Sequence, residues 1–115
     1  MWRIDKHARV YIALGVTDLR KSVNGLSILV EEDLGRRALS GDLFVFSNRR
    51  RNTIKILYWQ LNGFCIWYKR LDKERFRWPE DEGEVRELRR HELQWLLEGL
   101  DISQAHQKHD YDRVT

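Results

Sequence analysis

Three consecutive arginines, Arg49, Arg50 and Arg51, lie between two segments whose composition predicts β-strands. A guanidinium group holds its N–H donors in one plane, which matches the oxygens of a phosphate group. Residues 49–77 carry nine basic and two acidic side chains, so positive charge is concentrated in this part of the chain. Such a concentration is typical of a surface that binds a phosphate backbone.

Eight of these nine basic residues are candidates for phosphate contact. The three arginines are candidate phosphate clamps, and the residues that extend this track are Lys55, Lys69, Arg70, Arg75 and Arg77. Aromatic residues such as Trp59 and Trp67 alternate with them. A basic groove lined with aromatic rings suits a single strand, whereas a basic two-stranded ribbon can enter a major groove. The competing interpretation places the aromatic rings in the core and leaves the charges solvated.

The carboxylates and the cysteine of the chain lack the spacing that catalysis or metal binding requires. The acidic runs 31–33 and 80–82 consist of sequence neighbours, whose carboxylates point in different directions on a helix or strand. Cys65 is the only cysteine and has no histidine beside it in the sequence, and no glycine-rich phosphate loop is present. We therefore expect no catalytic residues, no metal site, no cofactor and no enzymatic activity.

Bulk properties indicate a small globular protein. The chain has 115 residues, of which 42% are hydrophobic and 34% are charged, enough for one modest core. We therefore predict a single α+β domain over residues 1–102 and a flexible tail over 103–115. No apolar run reaches the length of a membrane span, and the first residues do not have the pattern of a signal peptide. The expected location is the cytoplasm, away from membranes.

The pattern of apolar residues predicts the elements that position the basic side chains. A short strand over 9–14 precedes a helix that begins after Thr17, a candidate N-cap, and ends at Gly35. Strands are predicted at 43–47, 53–59, 64–71 and 75–78, with a further short strand at 85–88 and a short helix at 88–97. The expected fold is an antiparallel β-meander of about four to five strands, packed against one long N-terminal helix, with a second short C-terminal helix.

The turn between the strands predicted at 53–59 and 64–71 allows two registers. A two-residue turn at Asn62 and Gly63 places Lys55 opposite Arg70, whereas a longer loop over 60–63 places Lys55 opposite Tyr68. The first register brings like charges together across the sheet, which is unfavourable without an anion between them.

Several long blocks of the chain resemble one known family. GVTDLRKSVNGL, LFVFSNRRRNTIKILYW, NGFCIWYKRLDKERFRWP and LQWLLEGLD occur in its order and spacing, over about Val10 to Asp101. They are similar to the TnpB-type accessory proteins of the insertion-sequence-66 family of bacterial transposable elements, which are distinct from the RNA-guided nucleases of the same name. The resemblance implies an accessory role in transposition beside a separate, larger transposase. Asn24 stands where family members commonly have aspartate.

Composition and resemblance together give two hypotheses. The first is a non-catalytic accessory protein of DNA transposition that contacts DNA phosphates through a basic β-hairpin. The second is a protein–protein adaptor that docks the transposase through the same basic and aromatic surface. Next to this surface, Arg20 and Lys21 extend the basic charge in the functional interpretation, whereas in the structural interpretation Asp18 caps the helix start and forms a charge network with them. Pairing of two copies through an exposed sheet edge is compatible with either hypothesis.

Overall fold

A computed structural model describes residues 5–102, which form one sheet with helices on both faces. The elements in chain order are β1 (Val10–Ala13), α1 (Val23–Glu32), a short 3-10 helix (Ala38–Ser40), β2 (Leu43–Ser47), β3 (Thr53–Gln60), β4 (Gly63–Arg70), β5 (Val85–Leu88) and α2 (Arg90–Leu97). The predicted flexible tail, 103–115, lies outside the described residues. Neither α1 nor α2 is long and apolar enough to span a bilayer, and the same holds for any helix within residues 5–102.

The α+β class is as predicted, but the sheet is mixed rather than an antiparallel meander. Its strand order is β4-β3-β2-β1-β5, and β1 runs parallel to β2, with Tyr11 opposite Phe44. The remaining neighbours are antiparallel. The chain between β1 and β2 contains α1, and a connection of that length allows two strands to run in the same direction. The prediction of a purely antiparallel sheet was therefore wrong.

The predicted long N-terminal helix is also wrong, because α1 has only ten residues and begins at Val23. Residues 17–22 form a loop instead. The backbone N–H of Thr17 donates to the carbonyl oxygen of Ser47 at 2.9 Å, which ties the start of this loop to the end of β2. The Asp18 carboxylate accepts from the backbone N–H of Arg20, a local turn that competes with helix formation.

The segment predicted as a strand at 75–78 has no strand structure and packs on the core instead. Phe76 is buried, and its backbone N–H donates to the carbonyl oxygen of Arg51 at 2.7 Å. The indole N–H of Trp78 donates to the carbonyl oxygen of Ala13 at 2.9 Å. One edge strand of the sheet is therefore β4, where this segment was expected to add a further strand. The other edge strand is β5, which lies beside β1.

Side chains of the central strands alternate between two apolar layers. In β2, Leu43 and Val45 pack with α2 on one face of the sheet, whereas Phe44 and Phe46 pack with α1 on the other. All five residues of β2 are buried, as expected for a strand covered on both faces. The sheet is thus a rigid layer whose end can hold loops in fixed positions.

The pairing of β3 with β4 places Lys55 opposite Tyr68, which is the second of the two registers considered from the sequence. The strands are joined by Leu61 and Asn62, and Leu61 has a left-handed backbone with a φ of 56°. This register avoids the direct stacking of Lys55 on Arg70. It also places Lys55 and Tyr68 on the same face of the sheet as α1.

Truncation of Leu26 should show how strongly α1 depends on its contact with the sheet. Leu26 is fully buried and Ile28 is 52% exposed, although both lie in α1. We expect Leu26→Ala to lower the free energy of unfolding by about 2–5 kcal/mol, because it leaves a cavity, and Ile28→Ala to change it by less than about 0.5 kcal/mol. Urea denaturation followed by circular dichroism measures both. Equal effects would contradict the packing described here.

Candidate functional site: a basic groove at one end of the sheet

Two loops lie side by side at the end of the sheet where β1 and β2 finish. They are the loop over 14–22, between β1 and α1, and the turn over 48–52, between β2 and β3. Together with β3 and β4 they surround an open groove of about 770 Å³, which we call the basic groove. Its lining residues are Val16, Thr17, Asp18, Leu19, Arg20, Asn48, Arg49, Thr53, Lys55 and Tyr68.

The turn that carries the three arginines is held by its two asparagines. The Asn48 side-chain oxygen accepts from the backbone N–H groups of Asn52 (3.2 Å) and Thr53 (3.3 Å). The Asn48 side-chain amide donates to the side-chain oxygen of Asn52 at 2.7 Å. Arg49 and Arg50 are exposed on this fixed turn, and Arg49 lines the groove. Their charges are therefore presented on an ordered backbone.

Arg51 points away from its two neighbours and braces the two loops together. Its guanidinium donates to the carbonyl oxygens of Leu14 (3.1 Å) and Gly15 (3.4 Å) and lies 4.9 Å from the ring centroid of Trp78. Burial lowers the pKa of Arg51 below its usual value. This is a structural role that the sequence did not reveal, and contact of Arg51 with a phosphate stays a prediction.

Lys55 places a positive charge within the groove. It is half-buried, and its ammonium donates to the carbonyl oxygen of Leu19 at 2.5 Å. Tyr68 lies directly opposite on β4, with 53% of its surface exposed. The groove therefore combines a positioned cation with an accessible aromatic ring.

Asp18 and Arg20 form an ion pair in the loop after β1. Arg20 donates to both carboxylate oxygens of Asp18, with the shortest contact at 2.8 Å. These hydrogen bonds to Arg20 lower the pKa of Asp18 to about 2. Because this segment is a loop and not a helix start, Arg20 comes to the same groove as Arg49, which is far from it in sequence. Sequence reasoning named Asp18 and Arg20 but did not place them beside the arginine turn.

The remaining predicted residues do not form one continuous track. Arg70 is exposed and lies two residues after Tyr68, so the alternation of β4 puts it on the groove side of the sheet. Lys69 is on the opposite face, where its ammonium donates to the carbonyl oxygen of Leu97 at 2.8 Å. This contact places a cation at the negative end of the α2 dipole. Arg75 and Arg77 are exposed on the segment after β4.

Most of the basic side chains around the groove are not neutralised within residues 5–102. Ion pairs in this range involve Arg9, Arg20 and Arg86, whereas Arg49, Arg50, Lys55 and Arg70 have no carboxylate within ion-pair distance there. In the same range, no group of three or more histidine, cysteine, aspartate or glutamate side chains could hold a metal ion. Among residues 5–102, these four cations of the groove and its surroundings therefore have no compensating carboxylate.

The segments that form the groove belong to a stretch that matches a known family. The family model described as IS66 Orf2 like protein matches residues 8–107. The chain belongs to this family. It is 38% identical over 96 residues to the uncharacterized protein y4hO of Sinorhizobium fredii, covering 84% of each chain. It is 29% identical over 100 residues to the uncharacterized protein y4jC of the same organism, covering 87% of this chain and 86% of that one.

No solved structure matches the IS66 Orf2-like chain. Membership of the family implies an accessory function associated with the transposition of insertion sequences. This confirms the resemblance found in the sequence and makes a transposase a plausible partner. The family description names neither a ligand nor a reaction.

Variants of Arg51 and Arg50 should separate the structural arginine from an exposed one. We expect Arg51→Ala to lower the free energy of unfolding by about 1–3 kcal/mol, because it leaves two carbonyl oxygens without a charged donor. Arg50→Ala removes the same side chain from an exposed site of the same turn and should cost less than about 0.5 kcal/mol. Chemical denaturation of the two variants makes the comparison. If Arg51→Ala is as stable as Arg50→Ala, Arg51 does not brace the loops.

Proposed function

We propose that this IS66 Orf2-like protein is a non-catalytic accessory protein of transposition that binds DNA phosphates in the basic groove. The observation that carries the proposal is the convergence of Arg49 and Lys55, which have no ion-pair partner within residues 5–102, on one concave surface beside the ion pair of Arg20 with Asp18. Arg50 and Arg70 add exposed positive charge next to residues that line it. Convergence of this kind is what a polyanion requires, since its charges are spaced along a backbone.

The rigidity of the groove favours recognition of phosphate positions. The arginine turn is fixed by the Asn48 side chain, and the facing loop is tied to β2 through Thr17. Charges on a fixed backbone lose little conformational freedom on binding. Phosphate contacts supply affinity and orientation but do not read the base sequence. In this proposal sequence specificity comes from the transposase or from DNA shape.

The groove is poorly suited to catalysis. Asp18 is the only carboxylate among the described residues that line it, and its two oxygens are engaged by Arg20. A general base works best with a pKa near the working pH, whereas the pKa of Asp18 is lowered to about 2. We therefore assign the strand-transfer chemistry to a separate transposase and a binding role to this protein.

A second candidate function is an adaptor that docks an acidic surface of the transposase. The observation that favours it is the exposure of Tyr68 (53%) and Val16 (48%) beside the basic side chains. Tyrosine and arginine are enriched at the energetic centres of protein interfaces. An adaptor would form a defined complex with the transposase in the absence of DNA and would itself bind DNA poorly.

The salt dependence of DNA binding by a double variant tests the proposal. We expect Arg49→Ala with Arg50→Ala to reduce the slope of log affinity against log salt by about 1.4–1.8, because each of two phosphate contacts contributes about 0.7–0.9. Arg51 is left intact because its loss would disturb the loops themselves. Fluorescence anisotropy with a labelled oligonucleotide, at several salt concentrations, measures the slope.

The matched control is Lys6→Ala with Arg37→Ala, which removes the same charge from exposed loop positions away from the groove. This control should keep the wild-type slope. If the two double variants behave alike, the groove is not the site of phosphate contact. If the wild type binds no DNA at low salt but forms a complex with the transposase, the adaptor function replaces the DNA-binding one.

A further inference from the structure

Tyr68 stands out on β4 because its ring is accessible. The neighbouring residues Ile66 and Trp67 are half-buried and pack on the two apolar layers, whereas Tyr68 is 53% exposed and lines the basic groove. Its place in the sheet is fixed by the pairing with Lys55 on β3. The ring is therefore a positioned aromatic surface open to a ligand.

The cations around Tyr68 are arranged for a ligand that carries both phosphates and rings. Lys55, directly across the strand pair, is held by the carbonyl oxygen of Leu19, and Arg49 lines the same groove from the arginine turn. Arg70 follows on the same face of β4. A ring flanked by cations matches a nucleotide, in which a base lies between two phosphate groups.

We propose that the basic groove takes an unpaired DNA strand and that Tyr68 stacks on one of its bases. This inference rests on the proposed DNA-binding function and names the form of DNA that the groove prefers. In a duplex the faces of the bases are covered by their neighbours, and only the base edges are open in the grooves. An aromatic ring inside a concave site can reach a base face only when the base is unstacked.

The size of the groove fits this ligand. Its volume of about 770 Å³ lies within the range of about 300–1,000 Å³ that is usual for sites enclosing small ligands. About one or two nucleotides of a single strand fit such a space, whereas a duplex would meet only the exposed arginines at its rim. Arg49 and Arg50 thus supply general affinity for any DNA, and Tyr68 supplies the preference for an unpaired strand.

The test compares three ligands of equal length by fluorescence anisotropy at one salt concentration: oligothymidylate, an abasic phosphodiester strand and a duplex. The abasic strand offers the same phosphates without bases. We expect the wild type to bind oligothymidylate about 5- to 100-fold more tightly than the abasic strand. Tyr68→Ala should lose this difference and bind the abasic strand as the wild type does, which also shows that the variant is folded.

Tyr68→Phe keeps the ring and should bind oligothymidylate within about twofold of the wild type, whereas Tyr68→Leu keeps an apolar side chain without the aromatic face and should resemble Tyr68→Ala. The inference is overturned if the wild type binds the thymidylate and abasic strands equally, or if Tyr68→Ala weakens both to the same extent. Failure of the proposed function looks different, because the wild type would then bind none of the three ligands.

Discussion

The contact of the Arg51 guanidinium with the backbone at the end of β1 holds together the end of the molecule that carries the basic groove. It joins the arginine turn to the loop before α1, and its stacking on Trp78 draws in the segment that follows β4. Trp78 in turn donates to the carbonyl oxygen of Ala13. Three chain segments are thereby fixed to the parallel strand β1, and the groove between the two loops has a defined shape.

The three adjacent arginines differ in their environments, because one of them contacts the neighbouring loop and the other two are exposed. Arg49 and Arg50 are exposed on the turn, whereas Arg51 has a left-handed backbone, with a φ of 56°, and turns its side chain toward the other loop. A run of three cations in one turn is unfavourable unless some of the charge is taken up. Backbone carbonyls and an indole ring take up the charge of Arg51, whereas Arg49 and Arg50 remain exposed to solvent.

Local sequence patterns predicted the strands well where an apolar run was bounded by clear turn residues. β2 and β5 lie at the predicted positions. The ends of β3 and β4, which form the hairpin, differ from their predicted positions by at most one residue. The direction of β1 could not be read from the sequence, because a buried strand has the same apolar pattern whichever neighbour it pairs with. The helix was placed too early because Thr17 and Asp18 are good helix-start residues, whereas the backbone N–H of Thr17 donates to the carbonyl oxygen of Ser47 at the end of β2.

The candidate site was predicted only in part, because strand direction and register decide which side chains lie together and the sequence does not reveal either of them. The arginine turn, Lys55 and Arg70 were found from their charge, but the meeting of Arg20 with Arg49 depends on β1 lying parallel to β2. Lys69 was assigned to the same track and instead reaches the end of α2 on the opposite face, because the register of β4 decides its side. Exposure of Tyr68 was likewise a consequence of tertiary packing.

The proposed function depends most on these separated segments forming one binding surface. Its most direct test is a titration of the 15N-labelled protein with a short oligothymidylate, followed by the backbone amide signals. The amides of Leu19, Arg49, Lys55 and Tyr68 should shift together along one binding curve, while those of His7 and Gln60 at the opposite end of the sheet stay unchanged. Shifts confined to the opposite end or to α2, with the groove signals unmoved, would contradict the account.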